Sequence, residues 1–259
     1  MDLGLRDCRV IVTGGSKGIG YAIAAAMLRE GGVVTICSRH QDELESARLA
    51  LATHGRVFAE VCDVTRPGEV SRFVAAAAEL MGGVDVLVNN AGRAHPGTFE
   101  TLTDEDFQAD LEVKLFSQIR CSRAALPHLR ASKGPAIINI NAIYGRQPDP
   151  NFFATTVNRA ACLALSKAQA MEFGAEGIRV NSVNIGFVRT PQWENIHRQR
   201  APELSESEFF ARTAAQEVPL GRFGEPEEVA DLVAFLAGSR ASYISGASID
   251  VAGGMGRYV

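Results

Sequence analysis

Residues 8–30 run from a β-branched apolar stretch, "CRVIVTG", through a glycine-rich turn, "TGGSKGIG" at 13–20, directly into a helical stretch, "YAIAAAMLRE". A strand, a tight turn and a helix in immediate succession restrict the chain to folds built from crossover units. The rest of the sequence repeats that rhythm. Further β-branched runs, "GVVTICS", "RVFAEVC", "VDVLVNN", "PAIINI", "IRVNSVN" and "ASIDVAG", are separated mostly by segments long enough for crossover helices. Runs that are apolar throughout suit strands covered on both faces. The spacing therefore predicts an α/β fold, a doubly wound parallel sheet of the Rossmann type. Six runs form the main sheet and a seventh strand lies near the C-terminus.

The length, 259 residues, suits a single domain over 1–259 that buries most of its apolar surface. No internal repeat breaks it up. The segment 193–226, charged and helical in character, interrupts the rhythm after the sixth strand and is expected to be either a substrate lid or a solvated insertion.

Gly14, Gly18 and Gly20 allow the tight turn, close backbone approach to a pyrophosphate, and close packing of the helix on the strand. Ser16, Lys17 and Ile19 complete the loop that would face a dinucleotide at the helix N-terminus, where unpaired N–H groups and the helix dipole favour anions. The second strand ends in "CSRHQDELE", with Ser38 and Arg39 where an NAD-preferring chain would usually carry an acid. Arg39 offers a permanently charged fork to a ribose 2′-phosphate, so the expected cofactor is NADP. Lys17 would add a second charge.

The formal net charge of −4 and the 22% of charged residues predict neither a nucleic-acid partner nor a disordered chain. No apolar run approaches the roughly 20 residues of a membrane span. The start of the chain does not read as a signal peptide, so a cytoplasmic location is expected. Cys8, Cys37, Cys62, Cys121 and Cys162 show no CxxC or metal-ligand spacing and are read as reduced, mostly buried thiols.

Taken in order, "TGGSKGIG", "CDVT" at 62–65, "NNAG" at 89–92, "INAIYG" at 140–145, "GIRVNSVNIGFVRTP" at 177–191 and "GRFGEPEEVADLVAFLAG" at 221–238 resemble the short-chain dehydrogenase/reductase family nearly end to end. The resemblance implies that Asp63 and Val64 border the adenine and that Asn90, Ala91 and Gly92 lie along the cofactor. Val188 and Thr190, in the same loop as Gly186, would meet the nicotinamide carboxamide. It also implies a small-molecule substrate and a homotetramer or homodimer.

The family's catalytic Asn, Ser, Tyr and Lys fall, by this matching, on Lys114, Ala142, Thr155 and Arg159. All four differ. Threonine is a far weaker acid than a phenol, whereas Arg159 keeps a cation for the nicotinamide ribose. Loss of a positioned acid removes about 10²–10⁴ in rate without forbidding hydride chemistry. Tyr144, two residues past the vacated serine position, and Lys114 are therefore the candidate replacement donors, with Arg159 as their partner. His95 is a weaker candidate, and Asp149 in "RQPDPNFF" is expected to be turn chemistry. Three functions follow: an NADP(H)-dependent oxidoreductase with a relocated acid, a non-redox enzyme resembling halohydrin dehalogenases, and a catalytically inactive NADP(H)-binding sensor or assembly subunit. Two smaller departures are Ala252, in the acidic place of a C-terminal DGG-like turn, and Ile185, in the place of a proline.

Overall fold

The computed structural model describes residues 1–258. Seven strands, β1 (Arg9–Thr13), β2 (Val33–Ser38), β3 (Val57–Val61), β4 (Val86–Asn89), β5 (Ala136–Ala142), β6 (Arg179–Ile185) and β7 (Ser248–Val251), form one parallel sheet in the order 3-2-1-4-5-6-7. Successive side chains on a strand point to opposite faces. Val10 and Val12 accordingly enter one core, with the helices α1 (Gly18–Arg29), α2 (Gln41–Leu51) and α9 (Pro226–Ala237). Ile11 enters the other, against α3 (Pro67–Met81), α5 (Ser117–Arg130) and the end of α6 (Phe153–Phe173). The expected doubly wound sheet is the observed one, seventh strand included.

Strand order reverses between β1 and β4, so their carboxyl ends flank the crevice at which such sheets bind ligands. The opposite end is fastened by Asp85. It accepts hydrogen bonds from the Arg9 backbone N–H at 2.9 Å, from Arg9 Nε at 2.8 Å, and from the Ser132 hydroxyl at 2.6 Å.

One feature carries no clear mark in the sequence. The helix α4 (Asp104–Leu111), opened by a capping box between Thr103 and Asp106, continues into α5 through a π-helical turn over Glu112–Phe116. Such turns insert one residue into a helix and often mark functional sites. The segment after β6 forms α7 (Pro191–Arg200) and α8 (Glu206–Glu217). Phe209 and Phe210 pack with Phe187, Trp193 and Phe223 into a third apolar core beside the carboxyl end of the sheet.

Candidate active site

A cleft of about 1070 Å³ opens along the carboxyl ends of the strands, and every residue assigned above to cofactor binding lines it, from Gly14 and Arg39 to Arg159 and Thr190. Lys114, Ala142, Tyr144 and Thr155 line its inner end.

Gly14 and Gly18 take left-handed backbone, with φ of +67° and +56°, conformations that other residues adopt only with strain. Gly20 has a steric reason instead: a Cβ there would lie 2.1 Å from the Gly14 carbonyl oxygen. The Asn90 side-chain amide donates to the carbonyls of Thr13 at 2.9 Å and Gly14 at 3.1 Å, and Thr13 Oγ1 accepts from the N–H groups of Asn90 and Ala91. These bonds tie the glycine turn to the end of β4. Gly20→Ala is expected to destabilise the fold by about 3 kcal/mol, since backbone rather than a side-chain tip must move. Thermal unfolding and nucleotide titration of the variant check both consequences.

Arg39 is exposed at the end of β2 and reaches the cleft. Its charge bears on Asp63: burial raises the Asp63 pKa, but hydrogen bonds from Thr65 and the nearby arginines outweigh it and hold the carboxyl below its usual range. The Lys17 ammonium, the expected second charge, pairs with Glu43 on α2 at 3.1 Å. The carboxylate faces it across the turn, and both groups remain exposed.

At the inner end, α4 with its π turn meets α6. Lys114, only 1% exposed, donates to Asp110 on the preceding helical turn and, at 2.7 Å, to the hydroxyl of Thr155. Asp110 is fully buried and also accepts from the Asn158 amide at 2.8 Å. Burial is the main cause that lowers the Lys114 pKa, to about 8. The neighbouring Arg159 charge lowers it further, and Asp110 opposes both. A lysine near 8 releases a proton at almost neutral pH.

Arg159 is 8% exposed. Its Nη1 donates to the Ile140 carbonyl at 2.8 Å and to Asn141 Oδ1 at 3.2 Å. Asn141 is held in turn by Ser182, Ser182 by Asn184, and Asn184 by Asp250. Arg159 Nε is buried without a partner, and a Cβ on Gly92 would meet Nη2 at 3.2 Å. Nη2, beside Gly92 on the cleft wall, is the donor left for a diol or an anion, while Nε stays buried. Burial lowers the Arg159 pKa, though a guanidinium stays charged.

Tyr144 lies on a 3₁₀ turn after β5 and stacks on Phe152, with ring centroids 5.1 Å apart. Burial, then the charges of Asp149 and Glu217, push its phenol above the ordinary tyrosine range. That makes it a weaker acid near neutrality than Lys114. Asp149 is turn chemistry, accepting from the Asn151 N–H at 2.8 Å. His95 does not line the cleft. It sits behind Lys114, with Nε2 3.4 Å from Asp106 and Nδ1 3.9 Å from Asp110. Ala252 packs directly against Gly186, where a Cβ on the glycine would approach it to 2.8 Å.

Asp110 and Asn158 are site residues that the sequence does not single out. An acid four residues before a lysine on a helix is the one signal it carries, and that spacing reads as an exposed surface pair. Among the described residues no cluster of His, Cys, Asp and Glu could hold a metal ion.

Known proteins share this arrangement of sequence and fold. The family model for enoyl-(acyl carrier protein) reductase matches residues 14–256. Oxidoreductase UcpA of Escherichia coli O157:H7 is 35% identical over 246 residues, covering 94% of this chain and 92% of the relative. A short-chain oxidoreductase of Pseudomonas aeruginosa PAO1 with an atypical catalytic centre superimposes in its apo form with a TM-score of 0.94, at 38% identity over 99% of this chain and 100% of the other. Its NADPH-bound form gives 0.91 at 37% identity, over 98% and 100%. L-sorbose reductase from Gluconobacter frateurii, complexed with NADPH and L-sorbose, gives 0.96 at 33% identity over the whole of both chains.

Proposed function

Because the chain belongs to the short-chain dehydrogenase/reductase family, we propose that it is an NADP(H)-dependent oxidoreductase in which Lys114 replaces the family's tyrosine as proton donor. One observation carries this reading. The inner end of the cleft holds a buried lysine with a pKa lowered to about 8 in hydrogen-bond contact with Thr155. The Pseudomonas aeruginosa protein, a short-chain oxidoreductase with an atypical catalytic centre and an NADPH complex, supports the NADP(H)-dependent part of this reading.

Bound NADPH would supply the hydride for reduction of a small carbonyl compound. The protein contributes the proton and the positioning. Lys114 holds the proton at Nζ, and Thr155 Oγ1, 2.7 Å away, is placed to pass it to an oxyanion at the inner end of the cleft. Ala142 has no hydroxyl to share that task. Arg159 orients the nicotinamide ribose through Nη2, and Arg39 takes the 2′-phosphate. Trp193 and Ile196 on α7 line the cleft and form the lid over the substrate end.

A homotetramer or homodimer in the cytosol fits this reading. Val157 and Met171, both on α6 and 45% and 75% exposed, offer an apolar face, and the five free thiols suit a reducing compartment. No helix among the described residues is long and apolar enough to cross a membrane.

Fluorescence titration with NADPH and NADH, followed by a screen of ketones, enones and imines for loss of nicotinamide absorbance, tests the proposal. NADPH is expected to bind more tightly. Arg39→Asp is expected to reverse that preference, since a charge-assisted contact contributes about 1.5–3 kcal/mol, roughly ten- to hundredfold in affinity. Tight NADPH binding with no turnover of any compound would instead select the catalytically inactive sensor or assembly subunit, the reading that substitution at all four catalytic positions favours.

A further inference from the structure

A proton donor with 1% exposure must regain its proton after each turnover, and the residues behind Lys114 lead from it to solvent. Asp110 Oδ1 accepts from Lys114 Nζ on one side and lies 3.9 Å from His95 Nδ1 on the other. The far nitrogen of the same ring, Nε2, is 3.4 Å from Asp106 Oδ1. Exposure rises in steps along this path. The Asp110 side chain is 0% exposed, that of His95 19%, and that of Asp106 42%.

His95 Nδ1 is itself buried and has no hydrogen-bond partner. An orphaned buried nitrogen costs stability unless it has a use. Its distance to Asp110 exceeds a hydrogen bond, so transfer between them requires the ring to turn toward the carboxylate. The loop that carries His95 is pinned to the lid helix, because the N–H of Ala94 donates to Gln192 Oε1 on α7 at 2.8 Å. The ring is thereby held between one buried and one exposed carboxylate.

We propose that Asp110 and His95 form a proton relay that recharges Lys114 from solvent through Asp106. The proposal rests on the reading of Lys114 as the donor. In each cycle Lys114 loses one proton toward the substrate oxyanion and becomes a neutral amine. His95 in the tautomer protonated at Nδ1 gives that proton to Asp110 Oδ1 as its Nε2 takes one from solvent beside Asp106, and Asp110 gives a proton to Lys114 Nζ. A turn of the ring then returns a protonated nitrogen to Asp110, so one proton enters for each one delivered. An imidazole can carry its proton on either ring nitrogen. The charged and titratable groups facing these residues are Asp106 and Asp110 on α4, and Arg159 and Cys162 on α6. His95 positions and supplies the proton without touching the substrate.

The relay is testable without turnover. The chain has four lysines, Lys17, Lys114, Lys133 and Lys167, so isotope labelling of lysine gives a simple NMR spectrum of the full-length protein. The Lys114 signal is identified by its loss in Lys114→Met. In His95→Gln the exchange of Lys114 Nζ protons with solvent is expected to slow at least about a hundredfold, the lower side of what a positioned proton-transfer group contributes. Added free imidazole should restore the rate. Exchange that is unchanged in His95→Gln, or slowed without recovery in imidazole, overturns the relay. Absence of turnover in the wild type would overturn the proposed function and leave the exchange result standing.

Discussion

Lys114→Met is expected to lower carbonyl-reduction turnover by about 10²–10⁴, the contribution of a positioned general acid, while NADPH affinity changes little. The substitution has a second consequence. Asp110 loses its cation in a fully buried position, and breaking a buried ion pair by removing one partner costs about 3–5 kcal/mol. Lost activity alone would then be ambiguous. Lys114→Met combined with Asp110→Asn separates the two effects, because a neutral amide can stay buried beside Asn158 without an opposing charge. Urea unfolding of the double variant is expected to show most of the stability restored. Its turnover, measured by nicotinamide absorbance, is expected to remain as low as in the single variant. Recovery of turnover together with stability would show Lys114 to be a structural cation only.

Arg159→Met is expected to weaken NADPH binding by about ten- to hundredfold, from loss of charge-assisted bonds each contributing about 1.5–3 kcal/mol. It also orphans the Asn141 side-chain oxygen, which then loses its donor within a buried chain of hydrogen bonds. Its most specific effect is on Lys114. Arg159 is a like charge that lowers the Lys114 pKa, so its removal should move that pKa upward. Reduction requires the protonated ammonium, and activity declines as pH rises through the Lys114 pKa. The alkaline limb of the pH–rate profile should therefore shift to higher pH in Arg159→Met at saturating NADPH. A limb that stays in place would mean that the two cations do not interact.

Much of this architecture is legible in the order of residues alone. The apolar β-branched runs mark all seven strands because both faces of a parallel sheet are covered. The glycine turn is legible because Gly14, Gly18 and Gly20 each answer a local requirement, of backbone angle or of contact distance. The catalytic end is less legible. Asp110 and Lys114 form a four-residue spacing that is ordinary on any solvated helix, and only the packing of α6 across them turns it into a buried pair. Nothing in "DLEVKLF" announces the π turn that carries Lys114. Lys17 and Glu43 are far apart in the sequence, and α1 and β2, which lie between them, bring the two together. The segment 193–226 reads as polar in bulk, yet a few aromatic residues, Trp193, Phe209, Phe210 and Phe223, suffice to give it a core of its own.

Tyr144 and Lys114 are both candidate donors by position, and their surroundings separate them. Burial acts on both, but it has opposite consequences for a neutral acid and a cationic one. The phenol is driven further from neutrality and the ammonium toward it. The most direct test is the pH–rate profile of NADPH-dependent reduction, for the first carbonyl compound found to turn over, in the wild type and in Tyr144→Phe. A lysine donor predicts an alkaline limb near pH 8 in both proteins, with comparable maximal rates. Collapse of turnover in Tyr144→Phe would contradict it and assign the proton to the phenol.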